Sequence, residues 1–146
     1  MAQERILSYR DLEVWNVGMD LVLEVYALIR ELPSSERYAL SAQLRRSAVS
    51  IPSNVAEGYA RRGKAYRDHV RIALGSLAEL ETQIEVAVRL GLLSTSRVAA
   101  AVELAKRVGQ MLHGLLRSLL RQHIVDVGTS ALLLVPIVAV PILLLL

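Results

Sequence analysis

Four stretches of the chain repeat apolar residues at steps of three and four, the spacing that places them on one face of an α-helix. They are residues 12–32, 40–51, 66–87 and 98–119. No stretch of residues 1–125 alternates with period two for long enough to form a strand. The chain is therefore predicted to be all-α, and short loops between the helices favour an antiparallel up-and-down four-helix bundle.

The predicted ends of the first three helices carry capping and stop residues. Ser8 and Asp11 have the spacing of a capping box before the first helix, and Pro33 follows its last turn. Gly58 is expected to end the second helix. Gly91, followed by a leucine, has the pattern of a glycine C-cap after the third helix.

Two residues are unusual inside the predicted helices. Pro52 lacks an N–H and clashes with the preceding turn, so the second helix should be kinked or broken there. Gly75 lies inside the third helix and costs about 1 kcal/mol relative to alanine, which suggests a close approach of another helix. The fourth helix is expected to begin after Ser94 or Thr95.

The carboxy-terminal part of the sequence is an uncharged tail. Residues 127–146 reach about the length that spans a bilayer, but Pro136 and Pro141 would disturb a spanning helix. Three interpretations stay open: a membrane anchor, a disordered or oligomer-packed extension, and a segment with no selected role. We divide the chain into a bundle, residues 1–125, and an apolar tail, residues 126–146, and do not favour membrane attachment.

Composition and motifs narrow the possible chemistry. The absence of cysteine excludes disulfides, thiol catalysis and cysteine-ligated metals, and no secretory leader is apparent, so a cytoplasmic location is expected. Neither a di-iron pattern, a nucleophile elbow nor a glycine-rich phosphate loop occurs. Glu81 and Glu85 share a helix face but are better interpreted as a solvated face or a subunit contact than as metal ligands. We expect no enzymatic activity, no metal and no cofactor.

Charge is segregated along the chain. Eight basic and two acidic residues give residues 37–71 a net charge of +6, although the whole chain carries only +3. Segregated basic residues indicate an anionic partner such as nucleic acid or membrane headgroups.

Seven of these basic residues are candidates for nucleic-acid binding. Two lie on the second helix and the others in or after the turn to the third, so antiparallel packing could bring both groups into one patch. Tyr59 and Tyr66 interleave with them and could stack on unpaired bases. The two arginines of the second helix could instead form ion pairs with Glu57 or with acids of the third helix. The basic residues of the turn could be merely solvated. The seven candidates are Arg45, Arg46, Arg61, Arg62, Lys64, Arg67 and Arg71.

Six short segments then occur in a characteristic order: DLEVW at 11–15, ERYAL at 36–40, QLRR at 43–46, VSIPSN at 49–54, AEG at 56–58 and IALGSLAELET at 72–82. This combination resembles the four-helix-bundle family of 23S rRNA intervening-sequence proteins, over roughly residues 8–121. Ala39 stands where glycine is expected and Tyr59 where phenylalanine is usual. The tail after His123 is not part of the family pattern.

The resemblance implies a bundle that assembles as a ring, typically a homopentamer. Family members are encoded in insertions within 23S rRNA genes. A related branch comprises the accessory variability proteins of diversity-generating retroelements, which bind nucleic acid and a reverse transcriptase. Carried over by position, the family's basic residues are Arg45, Arg46 and Arg61, and its motif residues Pro52, Asn54, Glu57, Gly58, Gly75 and Glu81 are interpreted as fold or assembly determinants.

Two functions fit these observations. The first is a non-enzymatic homo-oligomer, a pentamer by resemblance, whose basic surface binds RNA or DNA as an accessory to a nucleoprotein or reverse transcriptase. The alternative is a protein-protein adaptor or assembly protein whose arginines serve subunit contacts, with the tail as a membrane tether.

Overall fold

A computed structural model of the protein describes residues 6–133, with side chains described to residue 125. Within this range four α-helices follow one another, and no strand occurs. Helix α1 packs against α2 and α4, and α3 packs against the same two neighbours, which is the order of an antiparallel up-and-down bundle. The predicted fold is confirmed. The helices are α1, Glu13–Glu31; α2, Leu40–Arg61; α3, Gly63–Arg89; and α4, Thr95–Leu133, with short 3-10 turns at Tyr9–Asp11 and Ser34–Glu36.

One contiguous apolar core lies between the four helices. Most of its members come from the stripes that the sequence pattern predicts, although the predicted stripe members Met19 and Val102 are exposed. Removing each large side chain from water contributes about 1.5–3 kcal/mol. Because the apolar stripes face inward, the charged residues are left on the outer faces and at the two ends. The largest fully buried side chains include Leu21 and Leu28 of α1, Leu44 and Ile51 of α2, Leu80 of α3 and Leu112 of α4.

The predicted caps are present, with one change of place. Ser8 and Asp11 form a reciprocal capping box, but around the 3-10 turn that precedes α1. Gly91 has a φ of +71°, and the Leu92 N–H donates to the Ala87 carbonyl at 2.9 Å, as in a glycine C-cap. The Ser94 hydroxyl accepts a bond from the backbone N–H three residues later and begins α4.

Helix α2 runs unbroken through Pro52, so the predicted break is wrong, whereas the kink stays a prediction. The proline is buried against α1 at Gly18, where a Cβ would lie 3.6 Å from the Pro52 Cβ. Proline therefore packs at a helix contact here, and the apolar ring becomes part of the interface between α1 and α2.

Neither helical glycine has the role expected from the sequence. Gly58 does not end α2, which continues to Arg61; a Cβ at Gly58 would lie only 2.7 Å from the Tyr66 Cδ2 atom. Gly75 is exposed, and a Cβ there would meet nothing within 4 Å. The close helix approach predicted at Gly75 therefore occurs at Gly58 within the described chain.

Helix α4 extends to Leu133, beyond the last apolar position predicted for it. Among residues 6–133 no helix is long and apolar enough to cross a membrane. Residues 134–146, most of the predicted tail, lie outside the described residues, and the three interpretations of the tail stay predictions.

Candidate nucleic-acid interface

A single residue, Arg62, connects α2 to α3. Its backbone has a φ of +63°, an uncommon value for a residue other than glycine. The Arg62 N–H donates to the Gly58 carbonyl at 3.0 Å, and the Arg62 carbonyl accepts from the Tyr66 N–H at 3.1 Å. The same residue thus ends one helix and begins the next. This tight turn holds Arg61, Arg62 and Lys64 together at one end of the bundle.

The register between α2 and α3 separates the two groups of candidate residues. The hydroxyls of Ser50 and Ser76 lie 2.8 Å apart and place these two positions at the same level. Arg46 precedes Ser50 by four residues, and Arg71 lies five residues on the other side of this level. Nine residues of helix correspond to about 14 Å along the bundle. Arg46 and Arg71 therefore do not lie equally far from the turn, as expected from the sequence, and the single basic patch stays a prediction.

Arg45 and Arg46 have different surroundings. The Arg45 guanidinium carbon lies 5.5 Å from the centre of the Tyr26 ring on α1, and this side chain is half-buried. Arg46 is exposed and makes no ion pair with any residue whose side chain is described. A carboxylate oxygen of Glu57 instead lies 2.7 Å from the guanidinium of Arg61. The predicted pairing of Glu57 with Arg45 or Arg46 is therefore wrong.

Three of the candidate cations near the turn are paired with carboxylates on their own helices. Besides Arg61, these are Lys64 and Arg71, whose charged nitrogens lie 2.6 Å and 3.1 Å from the two carboxylate oxygens of Asp68. A hydrogen bond from Lys64, together with the charges of both cations, holds the pKa of Asp68 below its ordinary value. Such exposed pairs contribute little to stability, so an external phosphate can compete for the same cations.

Arg62 is the exposed cation best placed to contact a ligand. Its guanidinium carbon lies 3.8 Å from the centre of the Tyr59 ring, a cation–π contact that fixes the guanidinium plane. Tyr59 in turn meets Tyr66 edge to face, with ring centres 6.2 Å apart. No carboxylate among the described side chains pairs with Arg62.

Helix α4 adds basic residues to the same end of the bundle. Residues of its 115–123 segment line a cavity together with Arg62 and Lys64. The same segment carries Arg117 and Arg121, which sequence reasoning did not include. We call residues 57–71 and 115–125 the turn end; these two segments hold seven basic residues, of which Arg67 is buried, and two carboxylates. The sequence did contain a feature that could have pointed to these two arginines, because residues 97–121 carry a net charge of +4.

Three glutamates of α3 and α4 lie away from the turn end. Glu81, Glu85 and Glu103 border a groove between α3 and α4, which also contains Val102. Across the described residues, no group of three or more histidine, aspartate or glutamate side chains is close enough to hold a metal ion. The bundle therefore has a basic end and a separate acidic groove.

The comparisons with known proteins agree with this fold. Residues 10–114 match the family described as 23S rRNA-intervening sequence protein. A similar solved structure is a protein of unknown function from the S23 ribosomal protein family of Bacteroides thetaiotaomicron, with a TM-score of 0.66 and 18% sequence identity. The match covers 70% of this chain and 97% of that chain, and at this identity it concerns the fold alone. No curated protein matches the sequence. Because the family match spans well over half of its length, the chain belongs to the family of 23S rRNA-intervening sequence proteins.

Proposed function

We propose that this protein binds RNA or DNA through the turn end, as a homo-oligomer in the cytoplasm and without enzymatic activity. The observation that carries the proposal is the Arg62 guanidinium, which is exposed, stacked on Tyr59 and without a carboxylate partner among the described side chains. It lies at the turn end, whose two segments hold six exposed basic residues and two carboxylates. Such a surface attracts the phosphate backbone over a long range.

The expected mode of binding is backbone contact with stacking. A guanidinium fixed over a tyrosine ring keeps its N–H edge free for two phosphate oxygens. Arg61, Lys64 and Arg71 can exchange their surface carboxylates for phosphates at little cost. Phosphate contacts carry no sequence information, so we expect little base preference.

Exposed apolar residues on the outer face of α3 support self-association. Ile72 is 51% exposed and Val86 is 40% exposed on this face, and Gly75 between them leaves the backbone open to a neighbour. A second copy would remove these side chains from water. A closed ring, taken here as a homopentamer, repeats the turn end around its axis and strengthens modest single contacts by multivalency. An accessory role to a reverse transcriptase or another nucleoprotein is the corresponding cellular function.

Fluorescence anisotropy with single-stranded RNA and DNA tests the proposal, using the full chain across a salt series. We expect a logarithmic salt slope of about −2 or steeper, because about three phosphates should displace counterions. The variant Arg61→Gln/Arg62→Gln should bind more weakly with a shallower slope. A matched control is Arg30→Gln/Arg37→Gln, which removes the same charge from exposed positions at the opposite end. Equal weakening by both variants, or binding that ignores salt, would contradict the proposal.

The acidic groove between α3 and α4 favours a second candidate, an assembly or adaptor protein whose arginines serve subunit contacts. Arg46 is exposed and makes no ion pair with the described side chains, while Glu81 and Glu103 border the groove without a cation of their own. Arg46 of one copy would then pair with the groove of the next. Light scattering on Arg46→Ala distinguishes the candidates: a lower oligomer mass supports the adaptor function, and an unchanged mass with normal nucleic-acid binding opposes it.

A further inference from the structure

A cavity of about 570 Å³ opens at the turn end, within the range of roughly 300–1,000 Å³ that small-molecule sites occupy. The first turn of α3 and the 115–123 segment of α4 form two of its walls. The apolar and aromatic residues of its lining include Leu12, Tyr59, Leu115 and Leu119. The cationic residues of the lining are Arg62, Lys64 and Arg67. A ligand that suits this cavity has an anionic group joined to a flat or apolar body.

Arg67 is the most unusual residue of the cavity. Its side chain lines the cavity, yet only 9% of the residue is exposed, and no hydrogen-bond acceptor or carboxylate among the described residues pairs with it. A guanidinium stays charged in proteins. Among the described residues the Tyr66 hydroxyl is the one fully buried side-chain polar atom without a partner, so the Arg67 nitrogens still reach water. A bound anion would supply the acceptor that this largely buried cation lacks.

The backbone around Arg67 favours an anion at the same place. Helix α3 has 27 residues, no side-chain cap at its start and no acidic residue in its first turn. Its first backbone N–H groups therefore lack protein acceptors from a cap, and the helix dipole adds a partial positive charge. Gly63 and Lys64 of this turn line the cavity. Tyr66, which is 6% exposed and lines the cavity too, has a hydroxyl without a hydrogen-bond partner.

We propose that this cavity binds the terminal phosphate monoester of a nucleotide. The phosphate would lie between the Arg67 guanidinium and the first turn of α3, where helix N–H groups and an arginine fork both match phosphate oxygens. The sugar and base would lie against the apolar lining residues Leu12, Leu115 and Leu119. A terminal monoester carries more charge at neutral pH than an internal diester, which suits a cavity whose lining includes Arg62, Lys64 and Arg67.

This phosphate has two possible sources. One is the phosphorylated end of an RNA or DNA strand, in which case the inference rests on the proposed function and adds recognition of strand ends to it. The other is a free mononucleotide. Both present the same chemical group to Arg67, and the experiment has one arm for each.

In the first arm, three labelled oligonucleotides of one sequence are compared by anisotropy with the full chain: 5′-phosphorylated, 3′-phosphorylated and with hydroxyl ends. We expect about a tenfold preference for one phosphorylated end, the effect of one added charge-assisted contact. Arg67→Gln should abolish the preference, so that phosphorylated and hydroxyl-ended strands bind this variant with equal affinity. Arg67→Lys should keep part of it, because the charge remains and the fork is lost. Arg71→Gln is the matched control, since Arg71 carries the same charge outside the cavity and should keep the preference.

In the second arm, adenosine 5′-monophosphate is titrated against the full chain by calorimetry. Binding that Arg67→Gln abolishes and Arg71→Gln preserves supports the site with a free nucleotide as its ligand. Equal affinity for all three strands together with no binding of the monophosphate overturns the inference, while steep salt dependence of the strands would leave the proposed function standing. Binding of the monophosphate without binding of any strand would keep this site and reject the proposed function. Circular dichroism of Arg67→Gln excludes misfolding as the cause of a loss.

Discussion

The ring of Tyr66, in the first turn of α3, lies directly against the backbone of Gly58, in the last turn of α2. A Cβ built on Gly58 would stand 2.7 Å from the Tyr66 Cδ2 atom and 2.9 Å from the His69 Cβ atom. Only glycine allows this approach without movement of α3. The contact fixes the spacing of the two helices at the turn end, and with it the position of Arg67, the residue that follows Tyr66.

Gly58→Ala is therefore expected to destabilise the protein, although alanine is the better helix former. Overpacking of a buried contact typically costs about 1–3 kcal/mol. The helix propensity of alanine returns about 1 kcal/mol. Urea denaturation should show a net loss in the free energy of unfolding.

Gly75→Ala is the matched control. Gly75 is helical and exposed, and a Cβ there meets nothing within 4 Å, so the same substitution should raise the free energy of unfolding by up to about 1 kcal/mol. Similar effects of the two substitutions would contradict this account of Gly58. The oligomer mass of Gly75→Ala should be measured as well, because a drop would place the outer face of α3 in a subunit contact.

Asp68→Asn is expected to strengthen nucleic-acid binding. The Asp68 carboxylate holds both Lys64 and Arg71, so its neutralisation removes one negative charge and frees two cations. Anisotropy should show a lower Kd, and the salt slope should steepen by about one to two. Glu85→Gln is the control, since it frees Arg89 at the far end of α3 and should leave the Kd unchanged. A Kd that does not move for Asp68→Asn would argue against contact by these cations.

The phenol of Tyr66 should lose its proton at a higher pH than an ordinary tyrosine. Burial raises its pKa from 10.0 to about 12, although the nearby Arg62 charge acts in the opposite direction. Absorbance of tyrosinate should thus show one of the five tyrosines ionising near pH 12, and Tyr66→Phe should remove this component.

Stability should follow the same titration. Below pH 10 both the folded and the unfolded chain keep the Tyr66 proton, so the contribution is fully present. Between about pH 10 and about pH 12 only the folded chain keeps it, so the free energy of unfolding falls as the pH rises. The free energy of unfolding, measured by denaturation at several pH values in this window, should fall less steeply for Tyr66→Phe than for the unchanged protein. Identical dependence on pH would contradict the assignment.

The two adjacent arginines of α2 should differ in their contribution to stability. Arg45→Ala removes the contact with Tyr26 and should cost about 0.5–1 kcal/mol, as expected for a partly exposed cation–π pair. Arg46→Ala removes an exposed side chain and should change stability by less than about 0.5 kcal/mol. Thermal unfolding of both variants checks this order, and the reverse order would show that Arg46 has a contact in the oligomer.

The sequence by itself determined the number of helices, their apolar faces and several of their ends. A helical face repeats with the chain's own period, and a cap such as Gly91 depends on a few neighbouring residues, so both can be predicted from local pattern. The resemblance to the family was also visible in short segments, and the match over residues 10–114 confirms it.

Only the tertiary structure decided how the charged residues combine. The register of α2 against α3 places Arg46 and Arg71 at different levels, and the packing of α4 places its 115–123 segment beside Arg62 and Lys64. The roles of Gly58 and Gly75 and the burial of Arg67 likewise depend on which side chains of another helix lie opposite. The physical reason is that axial register and facing partners are set by the interlocking of side chains from helices distant in sequence, which no local period encodes.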